Sequence, residues 1–386
     1  MSAPLRVLMV SDVYFPRING VSTSIETFRS ALPAHGVEVG VVAPRYEGED
    51  DRDGIVRVPG RALPRDPEDR LMAYRQLKRT VLDTAADYDL IHIQTPFAAH
   101  YAGLHTAKRL GKPVLATYHT LFEEYLQHYI PFLPARGLKA VARRFSRGQC
   151  NALDAVVVPS TAMESRLRTY GVQARMQVLP TGLPESAYRP GNGGRFRERH
   201  GISRETPVAL FVGRVAHEKN ISFLLDALAH ARREMPGLLL LITGEGPAQG
   251  DLRRQAARQG LGDAVRFLGY LDRRHELPDA YAAADAFVFA SRTETQGLVL
   301  LEAMAQGCPV VALSVMGTAD ILGPGRGCLV APDDPVAFAA TLLRLLGDPE
   351  LHARLSDQAR QYAREWSDSA LAERMALLYQ RLARAS

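Results

Sequence analysis

The sequence predicts an α/β protein built of two doubly wound domains, and three observations carry that expectation. Short apolar runs of strand length recur along the chain and alternate with stretches of helical spacing, the pattern of parallel sheets covered on both faces. At 386 residues the chain is long enough for two hydrophobic cores. Between Val178 and Gly194 the alternation breaks into Gly, Pro and polar residues, which marks a linker. The boundary is placed near residue 187, so that 1–187 and 188–365 are Rossmann-like domains and 366–386 is a closing helical segment.

In the first domain, Leu5 to Ser11 reads as a strand, Asp12 to Asn19 as a loop, and Gly20 opens a helix over Val21 to Ala34. Asn19-Gly20 at a strand-to-helix junction either lets a diphosphate approach the backbone or is a plain Asn-Gly turn. Further strands follow at Glu38 to Val42, Gly54 to Val58, Leu90 to Gln94, Val114 to Tyr118 and Ala155 to Pro159. Ligands of such sheets collect at the carboxyl ends of strands. His119, directly after one of those ends, is placed to touch substrate, although loop histidines are commonly structural. Arg136 to Arg147 carries five cations, no acid, and interleaved Leu138, Val141 and Phe145. It reads as a basic amphipathic helix, lying on anionic lipid or simply presenting a solvated face.

The second domain opens with strand Val208 to Val212 and the loop Gly213-Arg214-Val-Ala-His-Glu-Lys219-Asn220, which leads into helix Ile221 to Arg233. Arg214 and Lys219 there can neutralise a diphosphate, or are ordinary surface cations. Leu238 to Thr243 is the next strand, and Gly244-Glu-Gly-Pro247 is a tight turn, on the phosphate side or purely structural. Asp285 to Ala290 and Val310 to Leu313 are buried strands enclosing a helix, Leu298 to Ala305, with Gly297 at its start and Gly307-Cys-Pro309 past its end. Two acids, Glu294 and Glu302, flank that helix start. Bare N–H groups of a first turn attract a phosphate. Carboxylates repel one, so the two acids suit hydroxyl groups on either side of it. A phosphate between two polyols describes a sugar nucleotide. The bland alternative is an acid favouring the helix dipole and a solvated or paired Glu302. The last helix is expected at Ser369 to Ala385, after Trp366.

Composition narrows the class. A hydrophobic share of 46% and a charged share of 23% belong to a soluble globular chain. Three cysteines, Cys150, Cys308 and Cys328, without metal-ligand spacing, point to a reducing compartment. The N-terminal apolar run is too short for a signal peptide, and no stretch is long enough to span a bilayer, so a cytoplasmic, soluble or peripheral protein is expected. A net charge of +5 is compatible with anionic substrates, a membrane face or nucleic acid. Ser11 to Gly20 lacks the glycines of a dinucleotide-dependent oxidoreductase.

Glu294-x7-Glu302 running into Ala-Met-Ala-x-Gly-x-Pro-Val-Val-Ala312 closely resembles the nucleotide-sugar site of retaining glycosyltransferase family four, whose members have the GT-B fold. The resemblance implies two Rossmann-like domains facing a central cleft, with the C-terminal helix crossing back to the N-terminal domain. It implies that Glu294 holds donor-sugar hydroxyls, that Glu302 holds the ribose, and that backbone groups of Gly297, Leu298 and Val299 meet the diphosphate. Gly213-Arg214-x4-Lys219-Asn220 matches the family's diphosphate segment, which makes Arg214 and Lys219 leaving-group stabilisers. The family's Gly-rich loop near the donor phosphates corresponds to Asn19 and Gly20, with Asn19 in place of the first glycine. Arg266-Phe-Leu268-Gly-Tyr270 resembles the nucleobase loop, and Gly244 falls among the same donor-binding turns. Thr117-Tyr-His119-Thr-Leu-Phe-Glu-Glu-Tyr-Leu-Gln-His-Tyr-Ile130 resembles the His-Thr segment of bacterial diacylglycerol glucosyltransferases and allied mannosyltransferases, which puts His119 beside the donor sugar.

The implied reaction moves a hexose from a nucleotide-diphosphate sugar to an acceptor hydroxyl with retention. The leading expectation is UDP-glucose to diacylglycerol, and the alternative is GDP-mannose to a glycolipid or phosphatidylinositol. Neither Asp51-x-Asp53 nor Asp87-x-Asp89 sits with the phosphate elements, so no metal and no other cofactor is expected. The partners are then a nucleotide-sugar donor, a lipid acceptor and an anionic membrane surface, without nucleic acid, and the oligomeric state is open. A non-catalytic basic membrane-binding module is the alternative of a different class.

Overall fold

The computed structural model describes residues 3–17, 19–47, 54–63, 66–119 and 135–385. The segment from Thr120 to Pro134 and the Asp51-x-Asp53 pair lie outside the described residues, as do the side chains of Arg136, Leu138 and Lys139.

The chain divides into two units. One comprises Met1–Gly182 together with Asp368–Ser386, and the other is the continuous stretch Leu183–Ser367. The junctions therefore fall at 182/183 and 367/368. They differ from the expected 187/188 and 365/366 because Leu183 lies in the core of the second unit and Ala187 and Trp366 pack against it.

In the first unit the strands are β1 (Leu5–Val10), β2 (Val37–Pro44), β3 (Ile55–Val58), β4 (Gly60–Leu63), β5 (Asp66–Met72), β6 (Leu90–Ile93), β7 (Val114–Thr117), β8 (Ala155–Val158) and β9 (Met176–Val178). The parallel sheet runs β3-β2-β1-β6-β7-β8-β9, and β4 and β5 form a separate antiparallel hairpin. Val7, Leu8, Met9 and Val10 are fully buried, as both faces of a parallel sheet covered by helices require. The helix Gly20–Ala31 ends before Ala34, and Leu32–His35 continue as a tighter turn. Pro33, with no N–H to give, accounts for the early stop. The helix Asp368–Arg384 buries Leu371, Met375, Leu378, Tyr379 and Leu382 in the same core as Ile25, Phe28 and Leu115.

In the second unit, β10 (Val208–Val212), β11 (Leu239–Thr243), β12 (Val265–Gly269), β13 (Ala286–Phe289), β14 (Val310–Ala312) and β15 (Cys328–Val330) form a parallel sheet in the order β12-β11-β10-β13-β14-β15. The order reverses between β10 and β13, paired through Ala209 and Ala286. At such a reversal the helices leaving the two strands pass to opposite sides of a doubly wound sheet, and the crevice where ligands bind forms at the strands' carboxyl ends. The equivalent point in the first unit lies between β1 and β6.

Candidate active site

The crevice of the second unit brings together two of the expected residues. The loop after β10 turns through Asn220, in the left-handed region at φ 56°, before the helix Ile221–Ala231. Asn220 Nδ2 donates to the Ala290 carbonyl at 3.1 Å, and Ser291 Oγ donates to the Glu218 carbonyl at 3.2 Å, so the loops after β10 and β13 are sewn to each other. Across that seam Lys219 Nζ donates to Glu294 Oε2 at 2.7 Å. Burial alone would raise the carboxyl pKa of Glu294. The Lys219 ammonium and the backbone N–H groups of Gln296 and Thr295 outweigh it and hold the group below its ordinary range.

Gly297 then starts the eight-residue helix Leu298–Ala305 from the left-handed region, at φ 100°, where a side chain would be strained. Helix entry leaves the first N–H groups, those of Leu298 and Val299 among them, without intrahelical partners. The loop is braced from outside by Gly317, whose N–H donates to the Glu294 carbonyl at 2.9 Å. A Cβ on Gly317 would lie 2.0 Å from the Thr295 carbonyl oxygen, so only glycine permits this approach.

Glu302, one turn into the helix, is a paired acid. Arg273 donates to its Oε1, and Tyr281 Oη donates to its Oε2 at 2.9 Å. Arg214 is exposed on the β10 loop, with its side chain uncommitted among the described residues. Leu268 is half-buried at the end of β12, and Tyr270 follows it with 61% of its surface exposed. Gly244 is tied up within the fold: its N–H donates to the Gly269 carbonyl at 2.8 Å, a bond that links the ends of β11 and β12.

In the first unit Asn19 is a helix cap. Its side-chain oxygen accepts the Ser22 N–H at 2.8 Å, and Gly20 opens the helix with clear space around it. His119 follows β7, and its Nε2 lies 3.1 Å from Gln94 Oε1 at the end of β6. Burial lowers the His119 pKa to about 4, so the imidazole is neutral at pH 7. Behind it His92 bridges Tyr379 Oη and Thr117 Oγ1, each at 2.7 Å, and burial brings its pKa to about 3. Asp89 of the Asp87-x-Asp89 pair accepts the Arg6 N–H at 2.8 Å and so closes the start of β1. Burial pushes the thiols of Cys150 and Cys328 up to about 12 and about 11, and that of Cys308 higher still, which makes all three unreactive.

Sequence reasoning missed Arg273, Tyr281, Gly317 and Gln94. Arg273 stands 29 positions before Glu302, and no local spacing joins them. Gly317 carried a weak signal as a glycine soon after a buried strand. What the second-unit crevice offers chemically is an ammonium with two N–H donors beyond the one that Glu294 takes, bare helix amides, and two carboxylates to either side. That arrangement suits an anion flanked by hydroxyl groups.

Comparison with known proteins gives the same picture. Residues 18–186 match the family model "Glycosyltransferase Family 4", and residues 194–362 match "Glycosyl transferases group 1". The chain is 34% identical over 325 residues to an alpha-monoglucosyldiacylglycerol synthase of Streptococcus pneumoniae, spanning 80% of this chain and 71% of that protein. It is 31% identical over 337 residues to a GDP-mannose-dependent alpha-mannosyltransferase of Mycobacterium tuberculosis, spanning 85% and 84%. Among solved structures, a sucrose-phosphate synthase from Thermosynechococcus elongatus superposes with a TM-score of 0.81 over 99% of this chain and 100% of that one, at 23% identity.

Proposed function

Because the chain belongs to glycosyltransferase family 4, with two Rossmann-like units of the GT-B plan, we propose that it is a retaining hexosyltransferase acting on a lipid hydroxyl, with UDP-glucose as donor and diacylglycerol as acceptor. The observation that carries the donor half is the Lys219–Glu294 pair at the sheet's reversal point, beside the helix start at Gly297. Arg214, Lys219 and the amides of Leu298 and Val299 receive the diphosphate, Glu294 the hydroxyls of the hexose, and Glu302 those of the ribose. By the resemblance of its segment His119 is assigned to the hexose, and its ring, neutral at pH 7, adds no charge against a sugar carbon that turns positive.

In the proposed step the bond from the anomeric carbon to the leaving phosphate oxygen breaks, and a bond to the acceptor oxygen forms on the same face. The acceptor proton passes to the departing phosphate oxygen. The cations and amides stabilise the negative charge that develops there, an electrostatic task that needs no separate base. They also supply the positive potential that a divalent ion would otherwise bring, so transfer is proposed to be metal-independent, with an unchanged rate in excess chelator as its check.

The acceptor half rests on the kinship with lipid-glucosylating enzymes and on the helix Ala135–Cys150, where Arg143, Arg144 and Arg147 are exposed and Val141 is 63% exposed. That face suits an anionic membrane surface. Among the described residues no helix is long and apolar enough to cross a membrane. A second reading, mannosyl transfer from GDP-mannose, is favoured by the kinship with GDP-mannose-dependent mannosyltransferases.

The test is incubation with a panel of UDP- and GDP-sugars, with and without diacylglycerol liposomes, and identification of the nucleotide and glycoside released. UDP with an α-glucosyl lipid is the expected result. Release of GDP with a mannolipid selects the second reading. Salt-sensitive liposome binding without turnover of any sugar nucleotide leaves only a membrane-binding module.

A further inference from the structure

Glu302 has two side-chain partners, and both come from a different element. Asp272 Oδ1 accepts the N–H groups of Arg274 and His275, at 3.1 and 2.9 Å, and its own N–H donates to Glu276 Oε2 at 3.1 Å. These bonds make a fixed turn ahead of the helix Glu276–Ala283, with Arg273 at its head. From that turn Arg273 reaches Glu302 Oε1, and from the helix Tyr281, only 2% exposed, reaches Oε2. The Glu302 side chain as a whole is 13% exposed, so it is not sealed from solvent.

A carboxylate has about four lone-pair positions, two on each oxygen. Arg273 takes one on Oε1 and Tyr281 one on Oε2. One remains on each oxygen, in the plane of the group. Two coplanar acceptors side by side match the neighbouring hydroxyls of a cis-diol, the arrangement of O2′ and O3′ on a ribose, and an acid is a common partner for ribose hydroxyls in doubly wound domains. A freely rotating glutamate would offer the same atoms without this alignment and would lose side-chain entropy on binding.

We propose that Arg273 and Tyr281 are positioning residues that lock Glu302 as a two-point acceptor for a ribonucleotide cis-diol. The inference rests on the donor reading given above, in which Glu302 meets the ribose. It adds that the site distinguishes ribose from deoxyribose, and that this distinction is set by a side chain that need not touch the ligand.

Isothermal titration of the full chain tests it, with UDP and GDP as probes, the tighter-binding one carried forward beside its 2′-deoxy form. Wild-type protein is expected to bind the ribonucleotide about tenfold more tightly than the deoxy form, the loss of one hydrogen bond to a charged acceptor. Arg273→Gln is expected to shrink that ratio to about threefold or less and to weaken the deoxy form little. Arg273→Lys, which keeps a cationic donor, should restore part of the ratio, and Tyr281→Phe should narrow it. In turnover assays Arg273→Gln should raise KM for the donor with kcat near wild type.

An unchanged ratio in Arg273→Gln, with both nucleotides weakened alike and a lowered melting temperature, would show a merely structural residue and overturn the proposal. Equal wild-type affinity for the two forms would overturn it while leaving the donor reading intact. A wild-type chain that binds neither UDP nor GDP would overturn both.

Discussion

Lys219 and Glu294 hold opposite charges 2.7 Å apart, so each residue's replacement strands the other. Glu294→Ala removes a charged acceptor for hydroxyls. A hydrogen bond of that kind is worth about 1.5 to 3 kcal/mol, or roughly a ten- to hundredfold fall in kcat/KM. Lys219→Ala is expected to lower kcat/KM to a similar degree, with circular dichroism showing an intact fold, and wild-type turnover in either variant would remove its assigned role. The pair also has a pH signature. Glu294 ionises below its ordinary value of 4.5, so the stability it adds is fully present above 4.5 and is lost as the pH falls through the depressed folded value. The gap in melting temperature between wild type and Glu294→Gln should therefore be steady at neutral pH and close only in stronger acid. Gly20 gives a separate test. Nothing in the chain lies near the position of its missing Cβ, so Gly20→Ala should leave stability unchanged or raise it by about 0.4 to 1 kcal/mol. If a diphosphate packs against that backbone, donor KM should rise in the same variant, and an unaltered KM would take Gly20 out of the site.

Single elements differ in how plainly they could be read. The helix Leu298–Ala305 was legible because its apolar spacing, its opening glycine and its Gly-Cys-Pro exit are all local signals. Lys219 and Glu294 were legible with it, as members of spaced motifs at strand ends. The hairpin of β4 and β5 was not, because Asp66–Met72 has a proline and four charged residues in place of an apolar run, and neither was β9, whose three residues gain their order from pairing with β8. β12 carries only the resemblance to a nucleobase loop in its sequence, and its parallel pairing with β11 is a property of the folded sheet. The brace at Gly317 was hidden for the same reason, since nothing in sequence links it to Thr295. Gly317→Ala places a methyl group against the Thr295 carbonyl and should destabilise the protein by about 1 to 3 kcal/mol, as overpacking does. It should also lower kcat/KM by displacing Glu294. Gly262→Ala, with open space around it, should alter neither. Thermal melts and donor turnover of the two variants check this, and equal behaviour would deny Gly317 its bracing role.

At the scale of the whole molecule, acid sensitivity is unevenly distributed. His92, His100 and His119 all lie in the first unit, and burial lowers their pKa values from 6.5 to about 3, 4 and 4. Unfolding lets each bind a proton that the folded unit refuses, so stability falls as the pH drops below 6.5. Asp12 opposes this: burial raises it from 3.8 to about 6, so between those values the folded state holds its proton more tightly. Three groups against one leave the histidines in control, while in the second unit His200 is the one histidine whose pKa is lowered, by burial and by Arg199, among the described residues. Hydrogen exchange at pH 5 should show protection lost first in the described residues of the first unit, those of 135–182 and 368–385 included, while 183–367 stays protected. Simultaneous loss in both units would contradict this account.

The break in the first unit also governs the order in which the protein can be made. Synthesis runs from the amino end, so the stretch from Leu183 to Ser367 has been translated in full while its predecessor still lacks Asp368–Arg384. Until that last helix emerges, the imidazole of His92 has no phenol from Tyr379 to meet, and Ile25 and Phe28 have no apolar cover from that side. The earlier-translated unit is thus the later to mature, and it waits, partly uncovered, for a helix encoded beyond the whole of its neighbour.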